Sequence, residues 1–155
     1  EVCDDTAQGG CLSDCSAAHS NYTCTSGSSS SPSVCSCKTG FSGASCNPVC
    51  GDGKLVGNEV CDDTNSGGCT ANCLAVNSNY TCSGGSSTTA SVCSCLPGFY
   101  KTGMLCLPIC GDGKLYGIEG CDDGGQGGCL TDCSAANNNF TCTGGTSSVP
   151  STCSC

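Results

Sequence analysis

Cys50-Gly51-Asp52-Gly53-Lys54-Leu55 returns sixty residues later as Cys110-Gly111-Asp112-Gly113-Lys114-Leu115. Working outward from it, every cysteine from Cys50 to Cys95 has a counterpart at plus sixty, ending at Cys155. Cys61 to Cys95 also match Cys3 to Cys37 at minus fifty-eight. A fixed period of this size marks a tandem array of one structural unit. The complete unit runs from Cys50 to Ile109 and holds eight cysteines: 50, 61, 69, 73, 82, 93, 95 and 106. The chain divides into repeat 1 (1–49), which lacks the Cys-Gly-Asp-Gly segment, the complete repeat 2 (50–109), and repeat 3 (110–155), which lacks the closing segment. The expectation is a window on a longer array.

The chain has 155 residues, of which 22 are cysteine and 24 glycine. Ser and Thr together number 39, there is no Trp, and only seven residues are Phe or Tyr. A conventional apolar core cannot be built from this composition. Chains that bury little apolar surface are held by cross-links instead. Disulfides persist in oxidising compartments, which predicts an extracellular or cell-surface location. The net charge of −9 argues against nucleic acid and anionic membranes as partners. No apolar run approaches the ~20 residues that span a bilayer, so no membrane insertion is expected in this segment.

No stretch keeps a 3.6-residue apolar period, and Gly, Ser and Asn interrupt every segment. Short strands are predicted at Asn79–Cys82, Ser91–Cys95 and Gly98–Tyr100. The fold class is therefore small, disulfide-rich and loop-dominated, with short β-hairpins.

Two family resemblances cover the chain. Cys93-Ser94-Cys95-Leu96-Pro97-Gly98-Phe99, then six residues to Cys106, resembles the closing half of an EGF-like module; Cys35-Ser36-Cys37-Lys38-Thr39-Gly40-Phe41, then four residues to Cys46, matches the same pattern. Carried over, the EGF-like order implies Cys69–Cys82, Cys73–Cys93 and Cys95–Cys106, with Cys50–Cys61 as an extra loop. It implies Cys11–Cys24, Cys15–Cys35 and Cys37–Cys46 in repeat 1. In repeat 3 it implies Cys110–Cys121, Cys129–Cys142 and Cys133–Cys153. Cys3 and Cys155 are then paired outside this segment. The front of the unit, Cys50-Gly-Asp-Gly, Glu59 and Cys61-Asp62-Asp63, resembles the cysteine-rich repeats of bacterial and protist surface proteins. Dense cysteine also raises metal thiolate of the metallothionein kind. Such chains are richer in cysteine and lysine and nearly free of aromatics, so disulfides are the expectation here.

All 13 acidic residues fall on five repeat positions: Asp52/112, Glu1/59/119, Asp4/62/122, Asp5/63/123 and Asp14/132, with Asn72 at the last in repeat 2. One reading is a Ca2+ site per repeat, formed by Asp52, Glu59, Asp62 and Asp63 and by Asp112, Glu119, Asp122 and Asp123, since calcium takes six to eight oxygens. The other is that Asp beside Gly or Cys stabilises tight turns by accepting backbone N–H groups. No other cofactor is implied.

Asn21-Tyr22-Thr23, Asn79-Tyr80-Thr81 and Asn139-Phe140-Thr141 are N-glycosylation sequons at one repeat position; the alternative is a packing role for Asn and Thr. The loops 25–34, 83–92 and 143–152 have the Ser/Thr/Pro composition of O-glycosylated stalks, or of flexible linkers. The O-glycosylation candidates are Ser28, Ser29, Ser30, Ser31, Ser86, Ser87, Thr88, Thr89, Thr146, Ser147 and Ser148. The single histidine, His19, has no counterpart at Asn77 or Asn137, and no Ser–His or Cys–His arrangement can be assembled. No catalytic function is expected.

The short linkers Asn47-Pro48-Val49 and Leu107-Pro108-Ile109 predict units stacked at fixed angles into a linear rod. The functional expectation is an extracellular structural repeat protein, a glycosylated rod, fibre or surface coat that self-associates and carries covalent glycans. The alternative is a cell-surface binding protein (adhesin, receptor ectodomain or surface antigen) that uses the repeats as a spacer.

Overall fold

The computed structural model describes residues 2–6 and 8–155. Among them no helix forms, and hence none long and apolar enough to cross a membrane. Ten strands make five separate two-stranded antiparallel sheets. In each repeat the first hairpin is β1–β2 (Tyr22–Cys24, Cys35–Cys37), β5–β6 (Tyr80–Ser86, Thr89–Cys95) or β9–β10 (Thr141–Thr146, Val149–Ser154). The closing hairpins are β3–β4 (Phe41–Ser42, Asn47–Pro48) and β7–β8 (Phe99–Thr102, Leu105–Pro108). This is the expected class: disulfide-rich, loop-dominated and built from short hairpins.

The Ser/Thr stretches at 83–92 and 143–152 were expected as loops. They are instead mostly strand, closing on the two-residue turns Ser87-Thr88 and Ser147-Ser148. Alternation explains this. In β6, Ala90 is partly covered, Ser91 buried and Val92 exposed, with Cys93 turned back toward the interior. The hairpin register sets Cys24 opposite Cys35 and Cys142 opposite Cys153. Directly opposed residues in an antiparallel pair come within disulfide reach. Cys24–Cys35, Cys82–Cys93 and Cys142–Cys153 accordingly bond across their hairpins, with Cα atoms 4.0, 4.1 and 4.0 Å apart.

That register overturns the crossed EGF-like pairing. With Cys93 bonded to Cys82, neither Cys69–Cys82 nor Cys73–Cys93 forms; Cys61 bonds Cys69 and Cys50 bonds Cys73, in place of Cys50–Cys61. In repeat 3, Cys110–Cys133, Cys121–Cys129 and Cys142–Cys153 replace Cys110–Cys121, Cys129–Cys142 and Cys133–Cys153. In repeat 1, Cys11–Cys24 and Cys15–Cys35 give way to Cys3–Cys11 and Cys24–Cys35, so Cys3 finds its partner within the segment. Cys37–Cys46 and Cys95–Cys106 belong to both the expected and the observed sets. Cys155 is exposed and unbonded. Loops of this size contribute roughly 3 kcal/mol each by restricting the unfolded chain.

By internal contacts the chain forms two compact units. One comprises the residues up to 77 with 82–93, and the other Ser78–Thr81 with Ser94–Cys155. The division lies within hairpin β5–β6 and not in either Pro-containing linker. The first two residues of each linker are strand, and the linkers pack forward. In the first unit, a Cβ on Gly57 would lie 2.6 Å from Pro48 and one on Gly40 3.1 Å from Val56. In the second unit the Phe99 and Tyr116 rings tilt together at 5.1 Å. Each closing hairpin is thus seated on the front of the following repeat.

Candidate functional site: a carboxylate cradle and exposed Ser/Thr tips

The centre of each repeat is sulfur and carboxylate where a larger domain would have leucine. Asp62 and Asp122 are fully buried, and Asp5, Asp63 and Asp123 nearly so. A buried charge is costly unless it is hydrogen-bonded. Asp62 receives four backbone N–H groups: Gly51 (2.7 Å) and Asp52 (3.1 Å) on Oδ2, Gly53 (3.1 Å) and Thr64 (3.0 Å) on Oδ1. Asp122 receives Gly111 (2.8 Å), Gly113 (3.0 Å) and Gly124 (2.8 Å). Successive N–H groups in such a turn make an anion-binding nest. Here the Gly-Asp-Gly loop is a nest already filled by the chain's own carboxylate. This gives the Cys-Gly-Asp-Gly…Cys-Asp-Asp pattern its physical meaning.

The second aspartate of each pair ties down the next turn. The Oδ2 atoms of Asp5, Asp63 and Asp123 each accept the N–H of Gly10, Gly68 or Gly128 at 2.6 Å. A buried serine joins this turn to the hairpin. Ser91 Oγ accepts the N–H of Asp62 at 3.1 Å while Ser91 N–H donates to the Asp62 carbonyl at 2.6 Å. Ser151 with Asp122, and Ser33 with Asp4, repeat the exchange.

Of the residues considered for calcium, the structure brings Glu59 and Asp62 together with Cys73, and Glu119 and Asp122 with Cys133, donor atoms within 4.8 Å. Asp52 and Asp112 turn aside to accept the N–H groups of Lys54 (3.0 Å) and Lys114 (2.9 Å), and Asp52 also pairs with the Lys54 ammonium at 3.3 Å. Asp63 and Asp123 face Gly68 and Gly128. Glu59 and Glu119 each accept one N–H, from Val56 and Tyr116, leaving Oε1 buried and unpartnered. Burial, and secondarily the neighbouring Asp62 and Asp122 charges, hold both glutamates above the usual carboxylate range against the pull of those N–H groups. Glu1 lies outside the described residues.

Asp14 and Asp132 each accept the N–H and hydroxyl of the serine two residues on, which holds them below the usual range. Asn72 Oδ1 at the same position accepts from Leu74 N–H and Thr70 Oγ1. A neutral amide does the same job, so this position requires an acceptor and not a charge.

Two of the three sequon asparagines join one hairpin to the next. Asn21 Nδ2 donates to the Cys46 carbonyl at 3.2 Å and Asn79 Nδ2 to the Cys106 carbonyl at 3.1 Å. The following tyrosines, Tyr22 and Tyr80, are buried and donate to the Ala44 (2.6 Å) and Met104 (2.9 Å) carbonyls. Asn and Tyr thus clamp the first hairpin to the closing one. Asn139 is exposed and is followed by Phe140, which has no hydroxyl to donate. Ser28–Ser31, Ser86–Thr89 and Thr146–Ser148 are all exposed at the hairpin tips. His19 sits edge-on to Tyr22, ring centroids 6.1 Å apart.

Comparison with protein-family models, curated proteins and solved structures returns no match. The chain is described by what it contains: tandem cysteine-rich, disulfide-bonded repeats of small β-hairpins. The buried Ser33, Ser91 and Ser151 escaped the reading of the sequence. Their signal was present in the invariant Ser-x-Cys that ends each Ser/Thr stretch, within composition that otherwise indicates solvent.

Proposed function

We propose that the chain is part of an extracellular structural repeat protein, a glycan-bearing array forming a surface coat, fibre or spacer. One observation carries this reading: each repeat presents the same exposed Ser/Thr-rich hairpin tip on a base locked by disulfides and buried hydrogen bonds. Each closing hairpin is seated on the next repeat within its compact unit, which supports an array of stiff joints. The likeness of the Cys-Gly-Asp-Gly front to cysteine-rich surface proteins points the same way. N-glycans at Asn21 and Asn79 are compatible with the clamp, because a glycosylated amide keeps one N–H to donate. In this reading the acids are scaffold, and the melting temperature is unchanged in EDTA.

Intact mass of native material, before and after deglycosylation and reduction, tests the proposal. The expected result is sugar mass removed in whole glycans, followed by thiol release. A native mass equal to that of the bare oxidised chain would refute the glycan coat. Electron microscopy showing isolated globules would refute the array.

A further inference from the structure

Beside the carboxylate cradle, each repeat gathers four sulfurs. The Sγ atoms of Cys3, Cys11, Cys24 and Cys35 lie within 4.8 Å of one another, as do those of Cys61, Cys69, Cys82 and Cys93, and of Cys121, Cys129, Cys142 and Cys153. In each cluster two disulfides lie against each other. The contact is 4.0 Å for Cys11–Cys35 and 3.9 Å for Cys69–Cys93; Cys153 lies 3.8 Å from Cys121 and 4.0 Å from Cys129. The remaining disulfides, such as Cys50–Cys73 and Cys95–Cys106, join no such cluster. A tetrahedral zinc thiolate has Zn–S bonds of about 2.3 Å, which places its sulfurs about 3.8 Å apart. The close contact between the two disulfides is already near the length of a tetrahedron edge, and no pair of sulfurs in a cluster is more than 4.8 Å apart. Each cluster joins a cross-strand pair on a hairpin to a short loop held by the second aspartate, so its ligands are fixed by two elements independently.

We propose that each four-sulfur cluster is a redox-gated tetrathiolate site for a borderline-soft divalent cation, Zn2+ being the natural occupant. In the oxidised chain it is two disulfides and binds nothing. Four molecules of a thiol reductant supply four electrons and four protons, leaving as two disulfides and giving four cysteine thiols. Zn2+ then replaces the four thiol protons, which leave to solvent, forming four Zn–S bonds and a centre of net charge −2. Binding would refasten the hairpin to its loop when the sulfur–sulfur bonds are gone.

The test uses the full chain, reduced with a water-soluble phosphine (oxidised to its oxide with oxygen from water) and titrated anaerobically with Co2+ or Zn2+ alone. Saturation is expected at three ions per chain, with the absorption of tetrahedral cobalt thiolate. Alkylation of the zinc-loaded chain should protect the 12 cluster cysteines and modify the other 10 of the 22. The double variant C82S/C93S should bind two ions, and C95S/C106S, outside the clusters, three. Protection spread over all cysteines, saturation well above three, or absence of the tetrahedral spectrum would overturn the proposal. The alkylation map of the unmodified chain decides even where a variant fails to fold.

Discussion

The first hairpins of repeats 1 and 2 span equal stretches of chain, Tyr22–Cys37 and Tyr80–Cys95, and carry the same cross-strand disulfide, yet their strands differ in extent. β5–β6 runs seven residues on each side, while β1–β2 runs three and reappears only as an isolated bridge between Ser28 and Ser31. Two local differences account for this. At Gly84 the backbone is left-handed (φ 67°), as it is at Gly144 (φ 72°). Repeat 1 has Ser26 there, which is not, since a side chain is disfavoured in that region. In repeats 2 and 3 the front segment also lies along the hairpin, with Leu55 N–H donating to the Ser86 carbonyl (2.8 Å) and Leu115 N–H to that of Thr146 (2.9 Å). The Asp4 carboxylate, with no Gly-Asp-Gly loop over it, is exposed and among the described residues accepts one N–H, that of Thr6, whereas Asp62 is fully buried. The hairpin and the cradle are one cooperative piece: the front segment covers the carboxylate and braces the strands together.

The sharpest way to break the comparison is to empty the cradle. Asp62→Ala strands four N–H groups, each worth roughly 1–3 kcal/mol when buried unsatisfied, so a loss above about 4 kcal/mol is expected. Asp4→Ala should stay within about 0.5 kcal/mol. Denaturant unfolding of both variants checks the pair; equal effects would show the nest to be incidental.

Gly68→Ala attacks what the repeats share. Its Cβ would stand 2.3 Å from that of Cys93, and the equivalent atoms on Gly10 and Gly128 would stand 2.3 Å from Cys35 and 2.4 Å from Cys153. A loss of about 2–3 kcal/mol is expected at any of the three, read as faster local hydrogen exchange in that repeat alone.

Gly84→Ser gives repeat 2 the residue of repeat 1. A cost of about 1–2 kcal/mol is expected, with amide protection at the Ser86–Thr89 tip falling toward that of 25–34. Unchanged protection would assign the order of β5–β6 to the front segment alone.

Glu59→Gln sharpens the electrostatics. The native glutamate holds its proton above the ordinary value of 4.5. Its favourable contribution is therefore complete below that pH and is lost as pH rises through the raised native value. The variant should be slightly more stable than the parent at pH 7, the gap closing on acidification; a gap that widens in acid would refute the assignment. Smallest of all, Asn72→Asp should leave the melting temperature within a degree or so, because Asp14 and Asp132 already accept the same kind of bond.

Much of this is legible in the sequence. The sixty-residue period, the three short strand predictions and the solvent-facing Ser/Thr tips follow from local patterns. Even the cross-strand disulfide had a signature: Cys82 and Cys93 are equidistant from Ser87-Thr88, as Cys24 and Cys35 are from Ser29-Ser30. The EGF-like likeness implies the crossed pairing, whereas the hairpins bond their cysteines symmetrically about the turn. The two uses of the recurring acids could not be told apart, since the same residues suit a cation or a turn.

Periodicity and alternation are relations between near neighbours, so the chain's letters settle the unit, its hairpins and its outward face. Which sulfur meets which, and which carboxylate lies buried under a Gly-Asp-Gly loop, are relations between segments ten to thirty residues apart. Those depend on loop closure and strand register acting together in the folded chain, and no single stretch of residues carries them.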